Sequence, residues 1–283
     1  MSHLHPDISV YDTFPKLLAY NAEHWPNQIA LREKSFGIWE ELTWSDYQQL
    51  VRNLALGLAE LGLGRGDAVG LIGDNRPAWV AGEIATHAVG GMIFGIYQDS
   101  LNEEVAYLIN YAGAKVILAE DEEQVDKVLE ITEQCPCVEH IIYSDPRGMR
   151  KYDDPRLMSL EELLQKGAAQ HAVNSDAYSR MIAAGKGEDT AILCPTSGPA
   201  GGHGDVADPV DHHQVAVLFL EVACVAGRHP AVGVDGFAAS FLVFVVAAEH
   251  PGVAGDDLAD AVFIRVDDAD IAFFEGNPDT VVV

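Results

Sequence analysis

Along residues 9–198 the apolar positions follow two alternating periods. Thr13 stands as an N-cap with Pro15 in the first turn, so "FPKLLAYNAEHW" starts a helix that Pro26 stops. "QIALREK" and "IWEELTW" flank Ser35 to Gly37 and predict a hairpin. Leu50, Leu54, Leu58 and Leu61 then recur at helical spacing, which predicts a core-facing helix with Gly62 and Gly64 at its carboxyl-terminal cap.

From there the chain keeps a regular rhythm. "DAVGLIGDN" reads as a buried strand, "RPAWVAGEIATHAVGG" as a helix and "MIFGIY" as another strand; "SLNEEVAYLINYAG" follows as a helix with Ser100 and Glu103 at capping-box spacing. "KVILAE", "DEEQVDKVLEITEQ" and "HIIYSD" repeat the pattern, and Ser159 with Glu162 marks a further short helix before the strand "TAILC". Continuously apolar strands alternating with helices imply an α/β fold, a parallel sheet covered on both faces. Ligands of such sheets bind at the carboxyl ends of the strands, which is where the segment after Cys194 lies.

Composition divides the chain at that same segment. Residues 1–198 hold all four Trp, all nine Tyr and every Lys, with 30 acidic against 15 basic residues. Residues 199–283 contain no Lys, Trp, Tyr or Met, only Arg228 and Arg265 as cations, and 14 acidic residues. Val, Ala, Asp and Gly make up 52 of those 85 residues. All four have codons beginning with G, the vocabulary that a GC-rich gene yields when read out of frame. The tail is therefore read as a divergent acidic segment, frame-disrupted or disordered, with a small acidic α/β domain as the alternative. Within it, "QVAVLFLEVACVA" and "GFAASFLVFVVAA" suit buried strands or helices, and equally a collapsed, aggregation-prone state, since they lack turns and alternating polarity.

The formal charge of -27 argues against nucleic acid or an anionic membrane as partner. No basic region followed by an apolar run opens the chain, and Phe237 to Ala248 falls short of the roughly 20 residues that cross a bilayer. A cytoplasmic location follows, and the four cysteines, Cys135, Cys137, Cys194 and Cys224, read there as ordinary thiols.

With "ELTWSDYQQLVRNLALGLAELGLGRGDAVGLIGDNRPAWV", "GEIATHAVGGMIFGIYQDSLNEEVAYLINYAGAKVILAE" and "DTAILCPTSG" in view, residues 9–198 resemble the amino-terminal part of an AMP-forming acyl-CoA synthetase. The resemblance is strongest to the long-chain fatty acid CoA ligases of the adenylate-forming superfamily. It implies a partial parallel-sheet amino-terminal domain over residues 1–198. It also implies a family chemistry in which ATP and Mg activate a fatty acid to an acyl-adenylate and CoA then takes the acyl group. The family's phosphate loop resembles T-S-G-T-T-G-x-P-K-G, where hydroxyls and N–H groups surround phosphate oxygens and a lysine supplies charge.

Laid on that pattern, Thr196, Ser197 and Gly198 match as the remnant of the phosphate loop. Pro199 brings no N–H and Ala200 no hydroxyl where the two threonines belong. Gly204 takes the lysine position and Asp205 the glycine after it, which turns a like charge toward the triphosphate. The family's later stretches have no counterpart after Gly198, and no lysine follows Lys186. The expectation is a truncated fragment without catalytic residues that does not hold ATP, Mg or CoA productively.

Other candidates carry less. His203, His212, His213, Cys224, His229 and His250, interleaved with Asp205, Asp208 and Asp211, would make a metal-dependent enzyme, but no metallohydrolase spacing occurs among them. A non-catalytic module that binds a partner or oligomerises through an open sheet edge is the other alternative. Asp74, Asn75 and Arg76 are read as capping the helix that begins near Pro77, Trp79 and His87 as packing residues, and Arg65-Gly66-Asp67 as a helix-to-strand turn.

Overall fold

The computed structural model describes residues 6, 7 and 9–195. Beyond them it describes the backbone of five strand segments. Helix α1 spans Phe14–His24 with Thr13 at its N-cap. The position agrees with the sequence, but the Thr13 side chain makes no capping hydrogen bond; its hydroxyl is buried without a partner in the protein. Strands β1 (Ile29–Ser35) and β2 (Ile38–Thr43) form the expected antiparallel hairpin. Thr43 and Asp46 then close a capping box on helix α2, Trp44–Glu60.

The alternation of strand and helix follows as β3 (Ala68–Ile72), α3 (Pro77–Ala88), β4 (Met92–Ile96), α4 (Asn102–Ala112), β5 (Val116–Ala119), α5 (Glu122–Glu130) and β6 (His140–Tyr143). Strand β7 (Leu157–Ser159), a short edge strand that the apolar pattern did not announce, leads into α6 (Leu160–Val173), α7 (Ala177–Ala183) and β8 (Ile192–Pro195). The box of Ser159 with Glu162 opens α6 as the sequence indicated. At α4 the start moves by one residue: Leu101 is the N-cap, and the Glu104 carboxylate reaches back to its N–H at 3.0 Å, so Ser100 and Glu103 form no box.

The sheet order is β7-β6-β5-β3-β4-β8-β9, where β9 is Val215–Leu218. The six strands from β7 to β8 run parallel, and β9 adds antiparallel to β8. Strands β10 (Ala223–Cys224), β11 (Phe241–Val246), β12 (Ala261–Arg265) and β13 (Ala272–Phe274) form a separate antiparallel sheet. The two apolar tail stretches that suited strand or helix equally thus contain strands β9 and β10 in one and β11 in the other.

Side-chain alternation along the central strands feeds two cores. Val69 and Leu71, Ile93, Val116 and Ile142 face one side with α2, α3 and α6. Ala68 and Ile72, Phe94, Ile117 and Ile141 face the other with α4 and α5. Helix α2 is enclosed by α1, α3, α6 and α7, and its Val51, Leu54, Ala55 and Leu58 are fully buried. Each such leucine contributes about 2 kcal/mol by leaving water. Leu50 and Leu61 lie at the margin of that core.

Where α2, α3 and α7 meet, Tyr47 and Tyr178 are buried close to Glu83. Burial pushes the Glu83 carboxyl up to about 7 from an ordinary 4.5. A group whose folded value is raised contributes stability that is present below its unfolded value and lost as pH rises through the folded one. Glu83→Gln is therefore expected to unfold at the parent's urea midpoint near pH 4.5 and at a higher urea concentration near pH 8. Identical midpoints at pH 8 would contradict a desolvated carboxyl at Glu83.

Candidate functional site

The chain leaves β3 toward α3 on one face of the sheet, whereas β4 and β5 lead to α4 and α5 on the other. Such a switch of direction opens a crevice at the carboxyl ends of the strands, the place where α/β sheets bind ligands. Here the crevice is a space of about 30 Å³ with Asp74, Arg76, Trp79, Glu120, Ser144 and Leu160 in its wall.

Its polar groups satisfy one another. The Arg76 guanidinium donates to Glu120 Oε1 and, at 2.7 Å, to Glu33 Oε1. Glu120 Oε2 accepts the Asp74 N–H at 2.6 Å, and the Glu120 carbonyl accepts the Ser144 hydroxyl at 2.9 Å. Gln98 Nε2 donates to Asp74 Oδ1 at 3.1 Å, and Lys127 Nζ donates to the Gln98 carbonyl. Arg76 does occupy the N-cap position of α3, but no side chain caps that helix. The expected capping role of Asp74, Asn75 and Arg76 is not realised: Arg76, which stands at the N-cap, carries only donors and pairs with Glu33 and Glu120, and the Asp74 carboxylate accepts from Gln98.

Glu120 is the residue the sequence reading missed. The available signal was an acid directly after the apolar run of β5, matched by an arginine shortly after β3. Its side chain also meets Gly73, whose φ is +147° and whose added Cβ would stand 2.5 Å from Glu120 Cβ. Gly73→Ala should therefore combine backbone strain with a clash and lower the unfolding free energy by about 2 kcal/mol. A parent-like denaturation midpoint would refute that close approach.

Thr196, Ser197 and Gly198 lie outside the described residues, as do the tail histidines His203, His212, His213, His229 and His250. What the described residues establish is the approach to the loop. Strand β8 runs parallel to β4 and ends at Pro195, so the chain enters Thr196 from the carboxyl edge of the sheet. Among the described residues no cluster of three or more His, Cys, Asp and Glu side chains could hold a metal ion. None of their helices is long and apolar enough to cross a membrane. Cys135 and Cys137 are free thiols, and burial pushes both upward, away from reactive thiolate. Trp79 packs against the core as read from sequence; His87 is half-buried, stacked on Phe14 and bonded to the Ala191 carbonyl.

The sequence model of the family described as AMP-binding enzyme matches residues 18–201. The chain is 30% identical over 190 residues to the long-chain-fatty-acid–CoA ligase ACSBG2 of Rattus norvegicus, covering 67% of this chain and 28% of that protein. It is 30% identical over 174 residues to the ligase ACSBG1 of Homo sapiens, covering 61% of this chain and 23% of the relative. The match thus spans only about a quarter of the length of these curated relatives. Among solved structures, the anthranilate CoA ligase AuaEII in complex with anthranoyl-AMP superposes with a TM-score of 0.56. It is 20% identical, over 68% of this chain and 34% of that one, and the likeness is one of fold.

Proposed function

Because the chain belongs to the AMP-binding enzyme family, we propose that it is the amino-terminal part of a long-chain fatty acid CoA ligase in which adenylation is not carried out. The whole-enzyme reaction to which this part belongs is ATP-dependent activation of a fatty acid followed by thioester formation with CoA. The observation that carries the reading is the family match, which runs through the sheet and ends at residue 201, inside the phosphate loop.

The residues that follow do not fit a triphosphate. Thr196, Ser197 and Gly198 supply hydroxyls and an N–H-rich start, but Pro199, Ala200, Gly204 and Asp205 remove a donor, a hydroxyl and the cation and add an anion. The crevice at β3 offers no replacement, since Arg76 is already held by two carboxylates. No step through ATP, Mg or CoA is assigned to this chain. We place it in the cytoplasm, on its composition.

The alternative of a partner-binding module on an open sheet edge has less support. The two edge strands of the sheet, β9 and β7, are four and three residues long, poor templates for a further strand. The test of the proposal is ATP–pyrophosphate exchange driven by a long-chain fatty acid in the presence of Mg. Exchange at background supports it, and fatty-acid-dependent exchange well above background overturns it.

A further inference from the structure

At the amino edge of the sheet, opposite the crevice, lies a second space of about 40 Å³ between the start of α1, the end of α3 and the segment entering β8. Thr13, Phe14, His87, Gly91, Lys186 and Ala191 are among the residues that line it. Two buried polar atoms of this lining, Thr13 Oγ1 and His87 Nδ1, have no partner in the protein.

The chemistry of His87 follows from its other nitrogen. Nε2 lies 3.0 Å from the Ala191 carbonyl oxygen. A carbonyl only accepts, so Nε2 carries the hydrogen and the buried Nδ1 is left with a bare lone pair and no protein partner. Burial pulls the imidazolium down to about 4, so the neutral ring and this tautomer persist through the physiological range. The Phe14 ring stacks on the imidazole with centroids 5.8 Å apart, which fixes its plane.

Ala191 is where β8 is fastened. Its carbonyl accepts a second hydrogen bond, from the Ile93 N–H of β4 at 2.9 Å. The ladder between β4 and β8 consists of the pair Ile93 with Ile192, whereas β3 and β4 pair from Ala68 with Met92 through to Ile72 with Ile96. With so short a ladder, a side-chain bond to the residue before β8 is a large fraction of what fastens that strand to β4, its pairing on the other side being with β9.

We propose that His87 is a positioning residue for β8, and that the space it shares with Thr13 is a binding site for a small neutral hydrogen-bond donor, a water molecule, that satisfies Nδ1 and Thr13 Oγ1. A space of about 40 Å³ exceeds the ~15 Å³ a water needs, and its lining offers the polar partners a buried water requires. Since β8 runs directly into Thr196, the anchor also sets where the phosphate-loop remnant begins; that consequence rests on the function proposed above, whereas the anchoring does not.

Nitrogen NMR of the histidine-labelled full chain reads the first part, with the His87 signal identified by its loss in His87→Gln. The expected result is one tautomer with hydrogen on Nε2 and no titration between about pH 5 and 8. An Nδ1–H tautomer, or titration near the ordinary histidine value, overturns the proposal. Hydrogen exchange reads the second part. His87→Leu should speed exchange of the Ile93 amide and the β8 amides about tenfold while leaving the amides of β3 and β5 unchanged. His87→Gln, whose side-chain amide still donates to Ala191, should restore slow exchange. Thr13→Val, nearly isosteric but without the hydroxyl, should give a smaller increase at the same amides. Unchanged exchange at β8, or an equal rise in β3 and β5, overturns the proposal. None of these readouts involves nucleotide, so their failure is distinguishable from failure of the phosphate-loop reading.

Discussion

Replacing Gly167 with alanine is expected to lower the unfolding free energy by about 3 kcal/mol. Helices α2 and α6 cross so closely that a Cβ built on Gly167 would lie 1.7 Å from the Asn53 carbonyl oxygen and 2.6 Å from its carbon. The crossing is reciprocal, since a Cβ on Gly57 would stand 2.6 Å from the Leu163 carbonyl oxygen. The obstacles are backbone atoms in the middle of two helices, so no side-chain rotation relieves them and the helices must separate. Separation would loosen the fully buried Leu54, Leu58 and Leu163.

Working the other way, alanine in a helix interior is favoured over glycine by about 1 kcal/mol. Overpacking wins because that gain is smaller than the loss of close contact along the whole crossing. Urea denaturation followed by far-ultraviolet circular dichroism provides the measurement. Gly64→Ala serves as the control, since a Cβ there has nothing nearer than Asp67 Oδ2 at 3.9 Å, and its effect should stay within about 0.5 kcal/mol. A Gly167→Ala midpoint equal to or above the parent's would show that the helices do not touch there.

The second large effect concerns chemistry. In ATP–pyrophosphate exchange with a long-chain fatty acid, the chain is expected to remain at background, at least about 10³-fold below a turnover-competent ligase. Loss of a single preorganised donor at a site of developing charge costs on the order of 10²- to 10³-fold. Relative to the family pattern, this sequence loses the lysine at Gly204, a hydroxyl at Ala200 and an N–H at Pro199, and gains the Asp205 carboxylate. One missing donor would leave a slow enzyme. Removing the cation while adding an anion beside a triphosphate changes the sign of the local field, which Thr196, Ser197 and Gly198 do not offset. Labelled pyrophosphate entering ATP only when fatty acid is present, at a rate well above the protein-free control, would show that the loop still works.

Much of the first 195 residues was legible because its determinants are local. A strand buried on both faces must be continuously apolar, a helix on the sheet must repeat its apolar residues every three to four, and the chain from β3 to β6 meets both demands in strict alternation. The capping box at Ser159 and the turn at Phe36 and Gly37 were likewise readable, since each is set by residues within a few positions of one another. Local signals also misled at α4, where of two acids in succession it is Glu104, not Glu103, that reaches back, to the N–H of Leu101, whose side chain offers no acceptor to complete a box.

The family resemblance placed the phosphate-loop start at Thr196 and no further, because the match fades within the loop itself. In the tail, apolar runs without polar alternation leave strand and helix equally open. The pairing of β11 with β12 and of β12 with β13 is a property of the assembled backbone that no single run announces.

By itself, then, the sequence determined the alternation of strands and helices, the sheet they imply and the family. The amino acids that settle these stand next to one another or one helical turn apart. Only the tertiary structure decided which glycines lie at a helix crossing, that Arg76 binds Glu33 and Glu120 instead of capping α3, and that His87 holds Ala191. Those partners are separated by 43, 44 and 104 residues. Pairs so far apart leave no periodic trace in the chain, and their contacts exist only after the sheet has brought strand ends and helix ends together.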